Sequence, residues 1–302
     1  MKTAIIGRGS VGSSTAYCLK GRGNVFFAVG EDRKDRCSLP IVFNGEKLPV
    51  PTLLSGEVEE KPELVIVAVK NFQLHSALPV IEPLLGKETV ILPILNGIEA
   101  EEVLSLEFGE DRVLYGFISG LSVFRDNNLI TSFSRGRITF GEKDNSRSER
   151  VEAILEYFLS CGQDAVIPED IHHEKWLKFM TNTSFNTLTA ILEADYDATS
   201  DNSDMIRAAR LVAREVQAIG AKKGVVLDQD DVERMISNTC SLKGKGRSSM
   251  LEDLMENRET ENRYFAGAIS RMGKQYNVPT PFCHMLSILL EAKRHVRRCR
   301  EV

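Results

Sequence analysis

The sequence predicts an α/β protein in two parts, a parallel sheet with covering helices followed by an all-helical half. Three observations predict it. Short β-branched runs alternate with helix-period stretches in the first half, the run at 64–69 is apolar at every position, and strand signals nearly vanish after Pro168. The length of 302 residues suits two ordinary domains, and 42% hydrophobic content is enough apolar material for two cores.

Taken in order, strands are expected at 3–6, 25–29, 64–69 and 89–92, with a helix at about 11–20 between the first two. Because 64–69 lacks alternation, it belongs in the middle of the sheet, buried on both faces. From 113 to 142 longer strand-like runs are broken by Asp126-Asn127-Asn128 and by Ser134-Arg135-Gly136, both of which read as hairpin turns, so the sheet is expected to end in antiparallel strands. A helix at about 148–160 and a short strand at 165–167 lead to Pro168, where the boundary is placed: 1–168 as an α/β domain, 169–302 as a helical domain. Helices are expected there at about 170–192, 203–223, 229–239, 261–276 and 282–299.

Composition excludes several classes. With 38 basic against 43 acidic residues the net charge is -5, which gives no positive field for a nucleic-acid backbone. The longest apolar run, 64–69, is far short of the ~20 residues that cross a bilayer. Met1-Lys2-Thr3 leads straight into strand-like sequence without a signal-peptide core, so a cytoplasmic location is expected. The six cysteines form no CxxC pair, and among the histidines only His172-His173 are adjacent, pointing about 100° apart on a helix, so no metal is expected.

The chemistry begins at Gly7-Arg8-Gly9-Ser10-Val11-Gly12, directly after the first strand and at the start of the first helix. That context makes a GxGxxG run a dinucleotide cradle: the first glycine allows the tight turn, the second lets a pyrophosphate reach backbone N–H groups, and the third lets helix and strand approach. The expected fold of the first half is therefore of the Rossmann type. Beyond the second strand, Glu31 suits the ribose hydroxyls of NADH, whereas Arg33 or Lys34 suits the 2′-phosphate of NADPH. Lys70 and Asn96 follow the next two strands, at the rim where such sheets bind ligands; a strand-ending lysine and a turn asparagine are the plainer readings.

In the helical half Lys178, Asn182 and Asn186 fall at intervals of four, one polar stripe among Trp176, Phe179 and Phe185. A lysine and two amides are costly to bury without a task, and asparagine is a poor helix former for a merely solvated face. Ser248 or Ser249, followed by Glu252 or Asp253, also satisfies a helix-capping box.

These motifs together, GRGSVG, VK at 69–70, NG at 96–97, KWLKFMTNTSFNTLTA at 175–190 and SSMLEDLMENRETE at 248–261, resemble the ketopantoate reductase (2-dehydropantoate 2-reductase) family over essentially the whole chain. The resemblance implies reduction of 2-dehydropantoate to pantoate by NADPH, or by NADH, with no macromolecular partner and a monomeric or homodimeric state. It implies Lys178 as the proton donor to the ketone oxygen, and Glu261 as the acid near the reacting centre and the cofactor. Asn182 and Asn186 match substrate-binding asparagines, Ser249 the serine that holds the substrate carboxylate, Asn96 the amide between nicotinamide and substrate, and Lys70 a cofactor-binding lysine. The departures are Glu31 where the family usually has arginine, Leu95 for a glutamine, Asn262-Arg263 for the common Ile-Asp, and Asp195-Tyr196 near another substrate-binding asparagine. They leave open a relative that acts on another 2-oxo acid or a β-hydroxy acid. A dinucleotide sensor without catalysis would need only the first half of these residues. The basic end from Lys293 to Arg300 reads as cations complementing a helix carboxyl terminus.

Overall fold

The computed structural model describes residues 1–21, 24–37 and 39–300. They form two compact units, Met1–Ile171 and His172–Val302. In the first unit the chain runs β1 (Lys2–Ile6), α1 (Ser10–Leu19), β2 (Asn24–Val29), β3 (Val42–Phe43), β4 (Glu46–Lys47), β5 (Thr52–Leu54), β6 (Leu64–Val67), α2 (Leu74–Ile81), β7 (Val90–Pro93), α3 (Ala100–Phe108), β8 (Tyr115–Asp126), β9 (Leu129–Gly141), α4 (Glu149–Ser160) and β10 (Asp164–Val166).

A parallel sheet in the order β5-β2-β1-β6-β7 forms the centre, with β6 inside it as its uninterrupted apolar sequence requires. Successive residues of these strands feed two separate cores. Ile5, Phe27, Leu64, Ile66 and Leu92 face one, against α1, α4 and Phe140 of β9; Ala4, Phe26, Val65, Val67 and Ile91 face the other, against α2 and α3. Each of these side chains larger than alanine contributes about 1.5–3 kcal/mol by leaving water.

The hairpin β8–β9 does not extend this sheet, as the sequence suggested, but is the spine of a second one. There β9 pairs antiparallel with β8 and parallel with β3 and β10. Asn127-Asn128 makes the turn, with Asn127 at φ 52, the left-handed conformation that tight hairpins demand. Ser134-Arg135-Gly136, the other expected turn, lies inside β9. Gly136 (φ 72) stands where a Cβ would press to 2.8 Å from the Ser119 carbonyl oxygen, so its glycine serves close strand approach near a bulge at Ser122/Val123.

The second unit is helical throughout its described elements: α5 (Ile171–Thr181), a π-helical segment Asn182–Asn186, α6 (Thr187–Leu192), α7 (Tyr196–Ser200), α8 (Ser203–Lys222), α9 (Gln229–Ser241), α10 (Ser249–Met255), α11 (Ala266–Tyr276) and α12 (Pro281–Arg300). The first three make one rod over 171–192. Trp176 and Phe179 meet edge to face, and a Cβ on Gly220 of α8 would come within 3.3 Å of the Trp176 ring, so that glycine sets how closely α8 packs. Among the described residues no helix is long and apolar enough to cross a membrane.

Candidate active site

In the first unit the predicted ligand residues follow the carboxyl ends of β1, β2, β6 and β7, which parallel pairing puts along one sheet edge. Gly7 turns at φ 111, where a Cβ would lie 2.5 Å from the Ala68 carbonyl oxygen. A Cβ on Gly12 would lie 1.9 Å from the Gly7 carbonyl oxygen, so the first and third glycines are demanded by packing alone. Gly9 is different. It caps α1 in an extended conformation, no acidic side chain follows in the first turn, and a Cβ there would meet only Arg125 Nη1 at 3.5 Å. An open helix start beside a guanidinium fits a phosphate.

Arg8 reaches back, donating to the carbonyls of Cys37 and Leu39 at 2.8 Å and lying over the Phe27 ring. Ser10 and Val11 open the first turn of α1. Glu31 and Arg33 belong to one exposed helical turn after β2, with Glu31 ion-paired to Lys34 at 3.3 Å and Arg33 set 3.9 Å from Asp32. Lys70 caps the short helical turn after β6. Asn71, to which the sequence reading gave no role, is buried and donates to the Asn96 backbone carbonyl at 2.9 Å, tying the loops that bear Lys70 and Asn96. Arg125 was missed too, because it lies more than a hundred residues from the glycine run. Leu95, the departure from glutamine, is buried in the apolar core on the α2 and α3 side.

The second unit gathers the rest. Lys178 is half-buried on α5, between Leu177 and Phe179, which are buried. Burial pushes its ammonium down to about 7; Lys175, one turn earlier, pushes the same way, and Glu261 holds it up. Glu261 is only 3% exposed, at the start of a helical turn before α11. Asn186 Nδ2 donates to Asn182 Oδ1 at 3.1 Å. Both amides sit in the π-helical segment, a widened turn that the spacing of four did not reveal and that recurs at functional sites.

Ser248 and Ser249 divide the two duties the sequence left undivided. Ser248 is buried, caps α10 by accepting from the Leu251 N–H at 3.3 Å, and shares a 2.8 Å hydrogen bond with Thr189 of α6. Ser249 is exposed at the first helical position. Asp195 caps α7 and pairs with Lys245 at 3.1 Å, and the Tyr196 and Asp197 N–H groups bond the Gly246 and Gly244 carbonyls, so the glycine-flanked loop is held to α7. Lys293 and Arg297 both pair with Glu193, and Lys293 also bonds the Ile191 carbonyl; the basic end of α12 thus complements the carboxyl end of α6 rather than its own.

A parallel sheet whose first strand runs through a glycine turn into a helix, followed in the same chain by a helical unit, is the architecture of a group of oxidoreductases, the class to which this chain's relatives assign it. Family models described as ketopantoate reductase PanE/ApbA and its C-terminal part match residues 3–145 and 170–294, and the chain belongs to that family. It is similar to the 2-dehydropantoate 2-reductase of Lactococcus lactis subsp. lactis (27% identical, covering 99% of this chain and 100% of that one). Among solved structures it resembles D-mandelate dehydrogenase with NADH and anilino(oxo)acetate, 26% identical at TM-score 0.86 over 98% of this chain and 99% of that one. A 2-dehydropantoate 2-reductase from Geobacter metallireducens is 25% identical at TM-score 0.84, over 97% and 99%.

Proposed function

We propose that the protein reduces 2-dehydropantoate to pantoate with a nicotinamide dinucleotide, Lys178 giving the proton. The observation that carries this is Lys178 itself, a lysine brought to about 7 beside a buried carboxylate, on the rod that holds the Asn182–Asn186 amide pair. An acid whose pKa lies near the working pH is the effective proton donor, and its positive charge opposes the charge that develops on a ketone oxygen. Glu261 keeps that charge available. Asn182 and Asn186 orient the substrate, and the exposed Ser249 at the α10 start receives its carboxylate.

The glycine turn with Ser10 and Val11, Arg8, Glu31, Arg33, Lys70 and Asn96 hold the dinucleotide in this reading, and Glu261 is the acid that the family resemblance assigns to cofactor and reacting centre. The reduced nicotinamide, when bound, supplies the hydride to the ketone carbon. Gly9 leaves room for the pyrophosphate, and Arg125 beside it adds a cation. NADPH is the cofactor of this reading, through Arg33. The alternative, NADH through Glu31, is favoured by the mandelate dehydrogenase solved with NADH, which also keeps open another 2-oxo acid as substrate.

The assembly we infer is a homodimer through α12. Its outward face carries Phe282, Met285, Leu289 and Val296 exposed at heptad spacing. The half at 281–290 has no charged side chain while 291–300 is basic, so antiparallel pairing of two copies keeps the basic halves apart. Sedimentation that finds only monomer would exclude this.

Loss of reduced-nicotinamide absorbance, measured with 2-dehydropantoate and a panel of aromatic and branched 2-oxo acids, tests the function with each cofactor. Fastest turnover of 2-dehydropantoate with NADPH is expected. Preference for an aromatic oxo acid with NADH would overturn the substrate and cofactor together.

A further inference from the structure

Asn262 follows Glu261 directly and is 1% exposed. Its amide nitrogen donates twice into α12, to the Ser287 carbonyl at 2.9 Å and to Glu291 Oε1 at 2.8 Å, while its own Oδ1 finds no donor among the described residues. A buried amide with one unanswered oxygen is costly, whereas an apolar side chain of similar volume would fill the space without that cost. The two directed bonds are what the amide adds.

The helix that receives them is fixed at several points. Both oxygens of Glu215 on α8 accept the N–H groups of Phe282 and Cys283 at its start, each at 2.8 Å. Further on, Lys293 and Arg297 grip Glu193 at the end of the rod that carries Lys178. One rigid helix therefore ties down both the rod and the turn before α11. A peptide unit is planar, with 3.8 Å between successive Cα atoms, so restraint of Asn262 restrains Glu261.

We propose that Asn262 is a positioning residue, which locks the Glu261 turn to α12 through Ser287 and Glu291 and so fixes the Glu261 carboxylate with respect to Lys178. The proposal rests on the reading of Lys178 and Glu261 as the working pair. Lys175 and Glu261 act on Lys178 in opposite senses, so release of Glu261 lowers the lysine further.

The test compares Asn262→Ala, Asn262→Ile and Glu291→Gln with wild type, in the full chain. Three quantities are read: thermal midpoint, kcat and KM separately, and the pH midpoint at which Lys178 becomes reactive to acetic anhydride, followed by peptide mass spectrometry without substrate. Both Asn262 variants should lose about tenfold to a hundredfold in kcat with KM within about twofold, as loss of orientation does. Their Lys178 midpoint should fall below that of wild type. Glu291→Gln keeps an acceptor oxygen and should stay near wild type in all three. Asn262→Ile, which keeps the buried volume filled, carries the test should Asn262→Ala fail to fold. Unchanged kcat and an unchanged Lys178 midpoint in Asn262→Ile overturn the proposal, whatever the thermal midpoint does. Should wild type turn over no oxo acid, the functional reading fails, yet the Lys178 midpoint still decides whether Asn262 positions Glu261.

Discussion

The glycine turn of the first unit and the Lys178 rod of the second are two kinds of site. The first is made by leaving side chains out: Gly7 and Gly12 are empty because backbone oxygens stand 2.5 Å and 1.9 Å from where a Cβ would be. The second is made by forcing polar side chains in, with Lys175, Asn182 and Glu261 buried and Lys178 half-buried. A site of the first kind depends on shape and fails all at once, whereas one of the second kind holds electrostatic tension and changes by degrees.

The largest expected effect breaks the first site. Gly12→Ala should abolish folding of the unit or cost more than about 4 kcal/mol, read by denaturant unfolding, since the clash is with backbone. Gly9→Ala should leave the same unfolding curve within about 0.5 kcal/mol and weaken dinucleotide binding instead. Equal destabilisation by both would show that Gly9 too is only a packing residue.

Next comes the second site. Lys178→Met should lose about 100- to 10,000-fold in turnover, roughly 3–5 kcal/mol of transition-state stabilisation, while its thermal midpoint rises. The sign follows from the shift. The folded lysine titrates near 7, below its unfolded value, so between those values the unfolded chain binds more protons and stability climbs with pH; the methionine variant should lack that climb. For reduction the lysine must be protonated, so kcat/KM should fall about tenfold per pH unit above a midpoint near 7. A flat profile from pH 6 to 9 would remove Lys178 from the proton transfer.

The smallest effect separates the paired serines. Ser248→Ala should cost about 0.5–2 kcal/mol of stability through the lost cap and the lost Thr189 bond, with KM little changed. Ser249→Ala should do the reverse, raising KM for the oxo acid at unchanged stability. Identical behaviour of the two would mean that α10 presents no substrate contact at Ser249.

What sequence made legible follows the same division. The two-sided burial of β6, the glycine turn and the long rod are local patterns with local causes, and they were read within a few residues of their observed bounds. Ser134-Arg135-Gly136 was misread because a glycine that permits strands to crowd and a glycine that turns a hairpin have the same composition. Asn71, Arg125 and Asn262 found no role because their partners, Asn96, Gly9 and Glu291, come from elsewhere in the chain and no periodicity records them. The π-helical segment was hidden for another reason: Asn182 and Asn186 keep a four-residue interval whether or not the turn is widened.

That widened turn gives the rod a phase as well as a length. A π turn holds about one residue more than an α turn, so everything after Asn186 is rotated by about 100° from where an unbroken α-helix would carry it. Thr189 owes its bond with Ser248 to that rotation. Removal of a single residue within 182–186 would therefore return the segment to a plain α turn of nearly the same rise and phase, and Thr189 would keep its place against Ser248 with Lys178 where it was.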